Sequence, residues 1–398
     1  MAHKFLLAFD KFKDSMTAHA ATMRARQVIE KFCPDASIHE APLTDGGEGF
    51  CAILTQAASG TLETQETCGP RFEALGAQIG FVDAERVPAE SLASLNLPAS
   101  VERIAVIEMA QAAGIQSVPV TERDARFCTS FGVGQQLLKA IEERADAILL
   151  GVGGSATSDL GLGALEALGF EFYDSQRIRV EKITPALFPE IAFIERPDTL
   201  EKIPAIRIAC DVNNPLLGPH GAAHVFGPQK GLTSEYIPQL DGEVDRLARL
   251  LCGACEADFS LVETPGAGAA GGIAAGLLVA LGAELVSGFS LVRSWLRLET
   301  ALQEADFLIT GEGKWDTSSL DGKGPFAVID AVSDRAVDVL LVAGALDAEA
   351  TLPLRNSLNG NLYTLELKDS EKSLQENLVE GPRRLSELME VFFAEKSL

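Results

Sequence analysis

Short apolar runs that read as strands alternate with helical periodicity along most of this 398-residue chain, which restricts the fold to the α/β class. Residues 5–9 are a short apolar strand, and residues 17–32 carry helical spacing, with Ser15 as the expected cap and Pro34 as the stop. A second strand is expected at 38–43 and a helix at 50–58. The middle breaks this rhythm, because 61–67, 73–82 and 103–108 read as successive strands with few helices between them. Helices return at 134–144 and 160–168 around a strand at 147–151, then a strand at 206–212 and an amphipathic helix at 234–252 follow. Strands at 306–310 and 337–343, with a helix at 326–332 between them, precede a long amphipathic helix over 373–396.

The two ends complement each other. An N-terminal βαβα and a C-terminal βαβ complete one parallel sheet, so residues 1–58 and 288–398 are expected to form a discontinuous Rossmann-like domain. Residues 59–287 are then an inserted mixed α/β domain, and a chain of this length accommodates both. No 18-residue apolar run of the kind that spans a bilayer occurs, and the N-terminus lacks a signal-peptide pattern. Seven cysteines, an odd number in a long chain, argue against a disulfide framework and for the cytoplasm. Cys252-Gly253-Ala254-Cys255 has no second pair, and reads as two ordinary thiols.

Four glycine-rich segments sit beside charged side chains: Asp45-Gly46-Gly47-Glu48-Gly49, Gly151-Val152-Gly153-Gly154-Ser155-Ala156-Thr157, Gly266-Ala267-Gly268-Ala269-Ala270-Gly271-Gly272 and Gly311-Glu312-Gly313-Lys314. Glycine lets backbone N–H groups turn toward a ligand, and such groups suit phosphate oxygens. A carboxylate in such a loop repels bare phosphate but is a natural ligand for phosphate-bound Mg²⁺. The combination points to chemistry on a metal–nucleotide complex. With 33 Lys and Arg against 57 Asp and Glu, the net charge is −24, which disfavours nucleic acid and anionic membranes as partners. Anionic substrates therefore require local positive charge, for which Lys13, Lys230 and Lys323 are candidates.

Ligands in open α/β sheets bind at the carboxyl ends of strands. Asp10 and Lys13 follow the first expected strand, Asp45 and Glu48 the second, and Glu312 and Asp316 the strand at 306–310. Asp211 and Asn214 end the strand at 206–212, and Lys230 sits in Gly227-Pro228-Gln229-Lys230-Gly231. A competing reading is an NAD(P)-dependent oxidoreductase of a small hydroxy acid. It rests on two literal dinucleotide fingerprints, Gly151-x-Gly153-x-x-Ala156 with Asp174 beyond it, and Gly266-x-Gly268-x-x-Gly271. No Walker A, G-x-S-x-G, H-E-x-x-H or protein-kinase signature occurs, and Pro and Gly around His220 and His224 disfavour a helical metal pair.

Taken together and in order, these segments resemble the bacterial class I glycerate kinase family over nearly the whole chain. The matching stretches include Phe9-Asp10-Lys11-Phe12-Lys13-Asp14-Ser15, Asp45-Gly46-Gly47-Glu48-Gly49, Ile107-Glu108-Met109-Ala110 and Gly153-Gly154-Ser155-Ala156-Thr157-Ser158-Asp159. They continue with Ala209-Cys210-Asp211-Val212-Asn213-Asn214, Val225-Phe226-Gly227-Pro228-Gln229-Lys230-Gly231, Ser287-Gly288 and Ile309-Thr310-Gly311-Glu312-Gly313-Lys314. Departures from the family's usual residues fall at Lys11, Asp14, Gln135, Ser158, Leu160, Leu162, Lys314, Thr317 and Asp321.

The resemblance implies ATP- and Mg²⁺-dependent phosphorylation of D-glycerate, with 2-phosphoglycerate as the usual product, in a cleft between two α/β domains. No protein partner is implied. On this reading Mg²⁺ is held by carboxylates among Asp45, Asp211 and Glu312, and either Asp45 or Asp211 is the base or orienting group for the acceptor hydroxyl. Lys13 and Lys230 neutralise phosphate or carboxylate oxygens, and Asp10, Glu312 and Lys323 contact substrate. Backbone donors for nucleotide phosphates come from Gly46, Gly47, Gly153, Gly154, Ser155, Gly266, Gly268 and Gly271.

Overall fold

A computed structural model describes residues 3–44, 46–198, 203–320 and 324–396. The chain divides into two compact units, a discontinuous one of Met1–Thr44 with Val292–Leu398 and a continuous one of Asp45–Leu291.

In the discontinuous unit five strands form one sheet in the order Leu362–Glu366, Asp338–Leu346, Phe307–Trp315, Lys4–Phe9, Ser37–Glu40, with every neighbouring pair parallel. The near-continuous apolar character of residues 5–9 and 307–309 follows from burial on both faces. Phe392 and Phe393 of the C-terminal helix Leu374–Lys396 pack edge-on or tilted against Phe307. The helix Ala18–Phe32 lies beside it. The cap of Ala18–Phe32 is Thr17, whose hydroxyl accepts from Ala20 N at 3.1 Å. The expected cap, Ser15, instead donates to the Leu378 carbonyl at 2.7 Å. The chain leaves Lys4–Phe9 toward one edge of the sheet and Phe307–Trp315 toward the other. The gap between these two strands is therefore the topological switch point, where open α/β sheets hold ligands.

The strand expected at 306–310 runs on to Trp315, pairing Glu312 with Ala343 and Trp315 with Leu346. The fully buried Trp315 anchors this extension, and its indole N–H donates to the Ala350 carbonyl at 3.2 Å. Glycine was the misleading signal. At Gly311 a side chain would meet the Val342 carbonyl within 1.9 Å, so the residue is there for close packing rather than for a turn.

The continuous unit holds a six-stranded mixed sheet in the order Glu284–Val286, Ala205–Ala209, Ala147–Gly151, Arg103–Glu108, Ala74–Asp83, Thr61–Cys68. The first four strands are parallel and the last two antiparallel. A small antiparallel sheet of Arg179–Val180, Glu171–Tyr173 and Phe193–Glu195 lies outside it. The helix Phe50–Ala57 packs on Ala74–Asp83 and Arg103–Glu108, which is why the chain divides after Thr44 and not at 58. Its core includes Ile107, Ile148, Leu150, Ile206 and Ile273, all almost wholly inaccessible. Among the described residues no helix is long and apolar enough to cross a membrane.

Candidate active site

Residues 10–16 form a tight turn at the end of Lys4–Phe9. Phe12 N donates to the Met16 carbonyl at 2.8 Å, Met16 N returns to Phe12 O at 2.9 Å, and Asp14 takes φ +61°. Phe12 and Met16 are buried, so the turn is fixed on the core while Lys13 between them is exposed. Asp10 N donates to Gly311 O at 2.9 Å, and the Asp10 carboxylate accepts from Lys11 N at 2.6 Å. Across the switch point, a side chain at Gly313 would meet Lys13 N at 2.9 Å, so the turn lies directly on Phe307–Trp315. Asp10, Lys13 and Glu312 thus share one end of this sheet.

Glu312 lies within the strand, not in a loop after it. Burial pushes its carboxyl pKa up, and the nearby charges of Asp10 and Asp316 add to this, while the Ser319 hydroxyl acts the other way. Its Oε1 is buried with no hydrogen-bond partner among the described residues. Asp316 has the opposite character. Lys314 at 2.7 Å and Ser318 hold its carboxyl down to about 2. Asp45 and Lys323 lie outside the described residues.

In the continuous unit the candidate glycines meet one another. Gly153 N donates to Gly46 O at 3.0 Å, and side chains at Gly153 and Gly46 would strike Gly47 Cα at 2.5 Å and Ala209 O at 2.8 Å. Residues 46–49 therefore cross the carboxyl ends of Ala147–Gly151 and Ala205–Ala209. Glu108 holds them there. Its buried carboxylate accepts from Gly49 N at 3.1 Å and Cys51 N at 3.2 Å, at the start of Phe50–Ala57. Burial raises the Glu108 pKa to about 7 against those hydrogen bonds.

Lys230 is 3% exposed, and its ammonium donates to Ser155 Oγ at 2.9 Å and Thr157 O at 2.6 Å. Burial lowers its pKa to about 8, with the Asp159 carboxylate pulling the other way. Asp159 is wholly buried and accepts from Ser130 N and Oγ, Gly161 N and Gly163 N. Near these two buried charges the hydroxyls of Thr157 and Ser158 are buried with no partner among the described residues. Gly154, at φ +72°, gives its carbonyl to Ile115 N at 2.8 Å. Asp211 accepts from Ser287 Oγ at 2.8 Å and Phe289 N at 2.7 Å, and so fixes the start of Gly288–Trp295.

The third glycine-rich segment is a packing joint. Ala270, Gly271 and Gly272 are all left-handed before the regular part of the helix Ala269–Leu281 begins. A side chain at Gly271 would lie 2.1 Å from Thr157 O, and one at Gly268 would lie 2.1 Å from Pro215 O. Gly266 is likewise left-handed, at φ +92°. These glycines let the loops at 153–161 and 210–217 approach the helix backbone.

The dinucleotide fingerprints are corrected by the same geometry. After Ala147–Gly151 the chain runs through a loop to the six-residue helix Leu162–Ala167, not directly into a long helix. Asp174 turns a hairpin by accepting from Gln176 N and Ile178 N, both at 2.8 Å. The segment from Gly266 follows a 3₁₀ turn, Phe259–Glu263, and no strand. Neither site has the strand–turn–helix that a dinucleotide needs.

Sequence reasoning assigned no role to Glu108 or Asp159. An acidic residue closing the apolar run at 104–107 was the available signal for Glu108, but a buried carboxylate that organises backbone N–H groups has no motif of its own. Among the described residues no three His, Cys, Asp or Glu side chains cluster as a metal cage. Mg²⁺ needs no such cage, since it usually keeps waters and takes one or two carboxylates plus phosphate oxygens. The unpartnered Oε1 of Glu312 fits that requirement.

The sequence profile described as the glycerate kinase family matches residues 5–395. A glycerate kinase of Halalkalibacterium halodurans is 35% identical over 86% of this chain and 85% of its own. A glycerate 2-kinase of Escherichia coli K12 is 35% identical over the same shares. A crystal structure of a candidate glycerate kinase 2 from Salmonella typhimurium LT2 superposes with TM-score 0.74 at 32% identity, covering 99% of this chain and 98% of that one. With the profile spanning almost every residue and these relatives matching most of their length, the chain belongs to the glycerate kinase family and is an enzyme of that family.

Proposed function

We propose that this protein transfers the γ-phosphoryl group of ATP, as its magnesium complex, to a hydroxyl of D-glycerate, giving 2-phosphoglycerate and ADP. The observation that carries this reading is the grouping of Asp10, Lys13 and Glu312 at the switch point of a parallel sheet, in a chain of this family. Phosphoryl transfer needs alignment and charge neutralisation more than covalent help from the protein. The acceptor oxygen attacks phosphorus, the bond to the β,γ-bridging oxygen breaks, and the hydroxyl proton passes to a carboxylate.

Lys13, exposed on a turn whose flanks are buried, supplies positive charge to the moving phosphoryl oxygens. Glu312 would hold the magnesium ion, and Asp45 and Asp211 are the other carboxylates proposed for it. When bound, that ion neutralises charge developing on the β- and γ-phosphate oxygens. Asp45 or Asp211 receives or orients the acceptor proton. Lys230 acts through the loop it braces, because its ammonium already donates to Ser155 and Thr157.

The test is a coupled ADP-release assay with D-glycerate and Mg-ATP, followed by ³¹P NMR of the product. ADP release that depends on D-glycerate, with a phosphorus signal coupled to the single C2 proton, is expected. No D-glycerate-dependent release would overturn the activity, and coupling to the C3 methylene protons would move the product to 3-phosphoglycerate.

A further inference from the structure

Beside Lys13 the discontinuous unit contains a cavity of about 360 Å³ that the proposed chemistry of Asp10 and Glu312 does not use. Its floor is the carboxyl end of Phe307–Trp315 and Asp338–Leu346, where Gly344 lies against Gly313. Its far wall is the first two turns of Leu374–Lys396 with the loop before it. That loop is held firmly. Asn377 accepts from Asp369 N at 2.7 Å and donates to the carbonyls of Asp369, Lys372 and Ser373.

Two chemistries line the cavity. Leu367, Leu374 and Leu378 supply apolar lining, and Lys13, Lys368 and Lys372 supply cationic groups. Three lysines around one cavity stand out in a chain of net charge −24. Lys372 is engaged with Glu380 at 2.6 Å, whereas Lys13 and Lys368 have no ion pair among the described residues. Leu374 is 76% exposed, although it is a large hydrophobic group.

We propose that this cavity is the nucleotide site: the base lies against Leu367, Leu374 and Leu378, and the phosphates extend past Lys368 toward Lys13. The inference rests on the kinase reading above and names where its donor binds. D-Glycerate does not match the cavity, because a three-carbon hydroxy acid is polar throughout and has nothing to place on a leucine wall. A nucleotide has a flat apolar end and an anionic end, joined at the scale of this cavity. Lys13 draws the anionic end toward the chemistry, because it borders both the cavity and, through Gly313, the strand that carries Glu312.

The test uses the full chain and two exposed positions. Lys368→Glu reverses a charge on a residue whose backbone bond to Gly344 O is untouched. Leu374→Glu places a carboxylate in the first turn of a helix, where the macrodipole favours it, so folding is not at risk. ADP affinity is measured by calorimetry in Mg²⁺ without glycerate, and KM is measured for ATP and D-glycerate. A loss of about fivefold or more in ADP affinity in either variant, the effect of roughly 1 kcal/mol between charges in water, supports the site. KM for ATP should rise with it while KM for D-glycerate stays within about twofold. Wild-type protein that binds no ADP, or smaller losses in both variants, overturns it. A wild-type protein that binds ADP here yet phosphorylates no D-glycerate sinks the proposed function and leaves the cavity assignment standing.

Discussion

Lys230 donates from a buried ammonium to the hydroxyl of Ser155, 75 residues earlier in the chain, at 2.9 Å. A lysine so placed keeps its charge against the cost of leaving water. Its folded-state pKa of about 8 lies below the ordinary 10.5, so between these values the unfolded chain binds a proton that the folded chain has released. Stability from this group therefore rises as pH climbs from 8 to 10.5. Urea denaturation of wild type and Lys230→Met across that window should show wild type gaining on the variant. A constant difference would mean that the ammonium is better solvated than its surroundings indicate.

Glu108 carries the opposite sign. Its carboxyl titrates near 7 in the folded chain instead of 4.5, so the folded state holds a proton that the unfolded state gives up. Its contribution is fully present below pH 4.5 and is lost as pH rises through 7. Glu108→Gln cannot titrate and should gain stability relative to wild type over that interval, as read by denaturation midpoints at pH 5, 6, 7 and 8. Equal pH profiles for the two proteins would refute the assignment.

Lys13→Ala and Glu312→Gln test the chemistry. Removing one preorganised charge partner of a phosphoryl group is expected to lower kcat/KM by on the order of a hundredfold or more. Circular dichroism should stay unchanged, since Lys13 is exposed and Gln is isosteric with Glu. Glu312→Gln should also raise the magnesium concentration needed for half-maximal rate, and Lys13→Ala should not. A folded Lys13→Ala enzyme with wild-type kcat/KM would remove Lys13 from the scheme.

Two glycines that look alike in sequence should behave in opposite ways. At Gly271, left-handed at φ +72°, a methyl group would meet Thr157 O at 2.1 Å, so Gly271→Ala should cost several kcal/mol, above the ~1–3 kcal/mol of the strained backbone alone. At Gly253, in the helix Ile237–Cys255, a methyl group meets nothing within 4 Å, so alanine should stabilise by about 0.5–1 kcal/mol. Thermal melts of both variants decide this, and a neutral Gly271→Ala would show that the three-loop joint is loose.

The architecture was more legible in the sequence than the site. Buried parallel strands are runs of apolar residues with little ambiguity, so Lys4–Phe9, Arg103–Glu108 and Ala147–Gly151 stand within about a residue of expectation. Small elements escaped. Arg179–Val180 and Phe193–Glu195 are too short for periodicity, and Leu362–Glu366 is only half-buried, which blurs its pattern. The glycines misled in a particular way. A glycine needed so that a ligand can approach and one needed so that another loop can approach are the same letter, and Gly268 and Gly271 are of the second kind. Lys230 was expected to face an anion, but only tertiary structure reveals that Ser155 and Thr157 already occupy two of its protons.

The strand Lys4–Phe9 is made first and lies between two neighbours, one of which is synthesised very late. Thr310 donates its hydroxyl to Ala8 O across a separation of 302 residues. At ribosomal speeds of roughly 5–20 residues per second, the first strand waits about 15–60 s for that neighbour, while the whole of Asp45–Leu291 emerges in the meantime. During translation the N-terminal strand therefore has only Ser37–Glu40 beside it, and its other edge stays open until the last quarter of the polypeptide arrives.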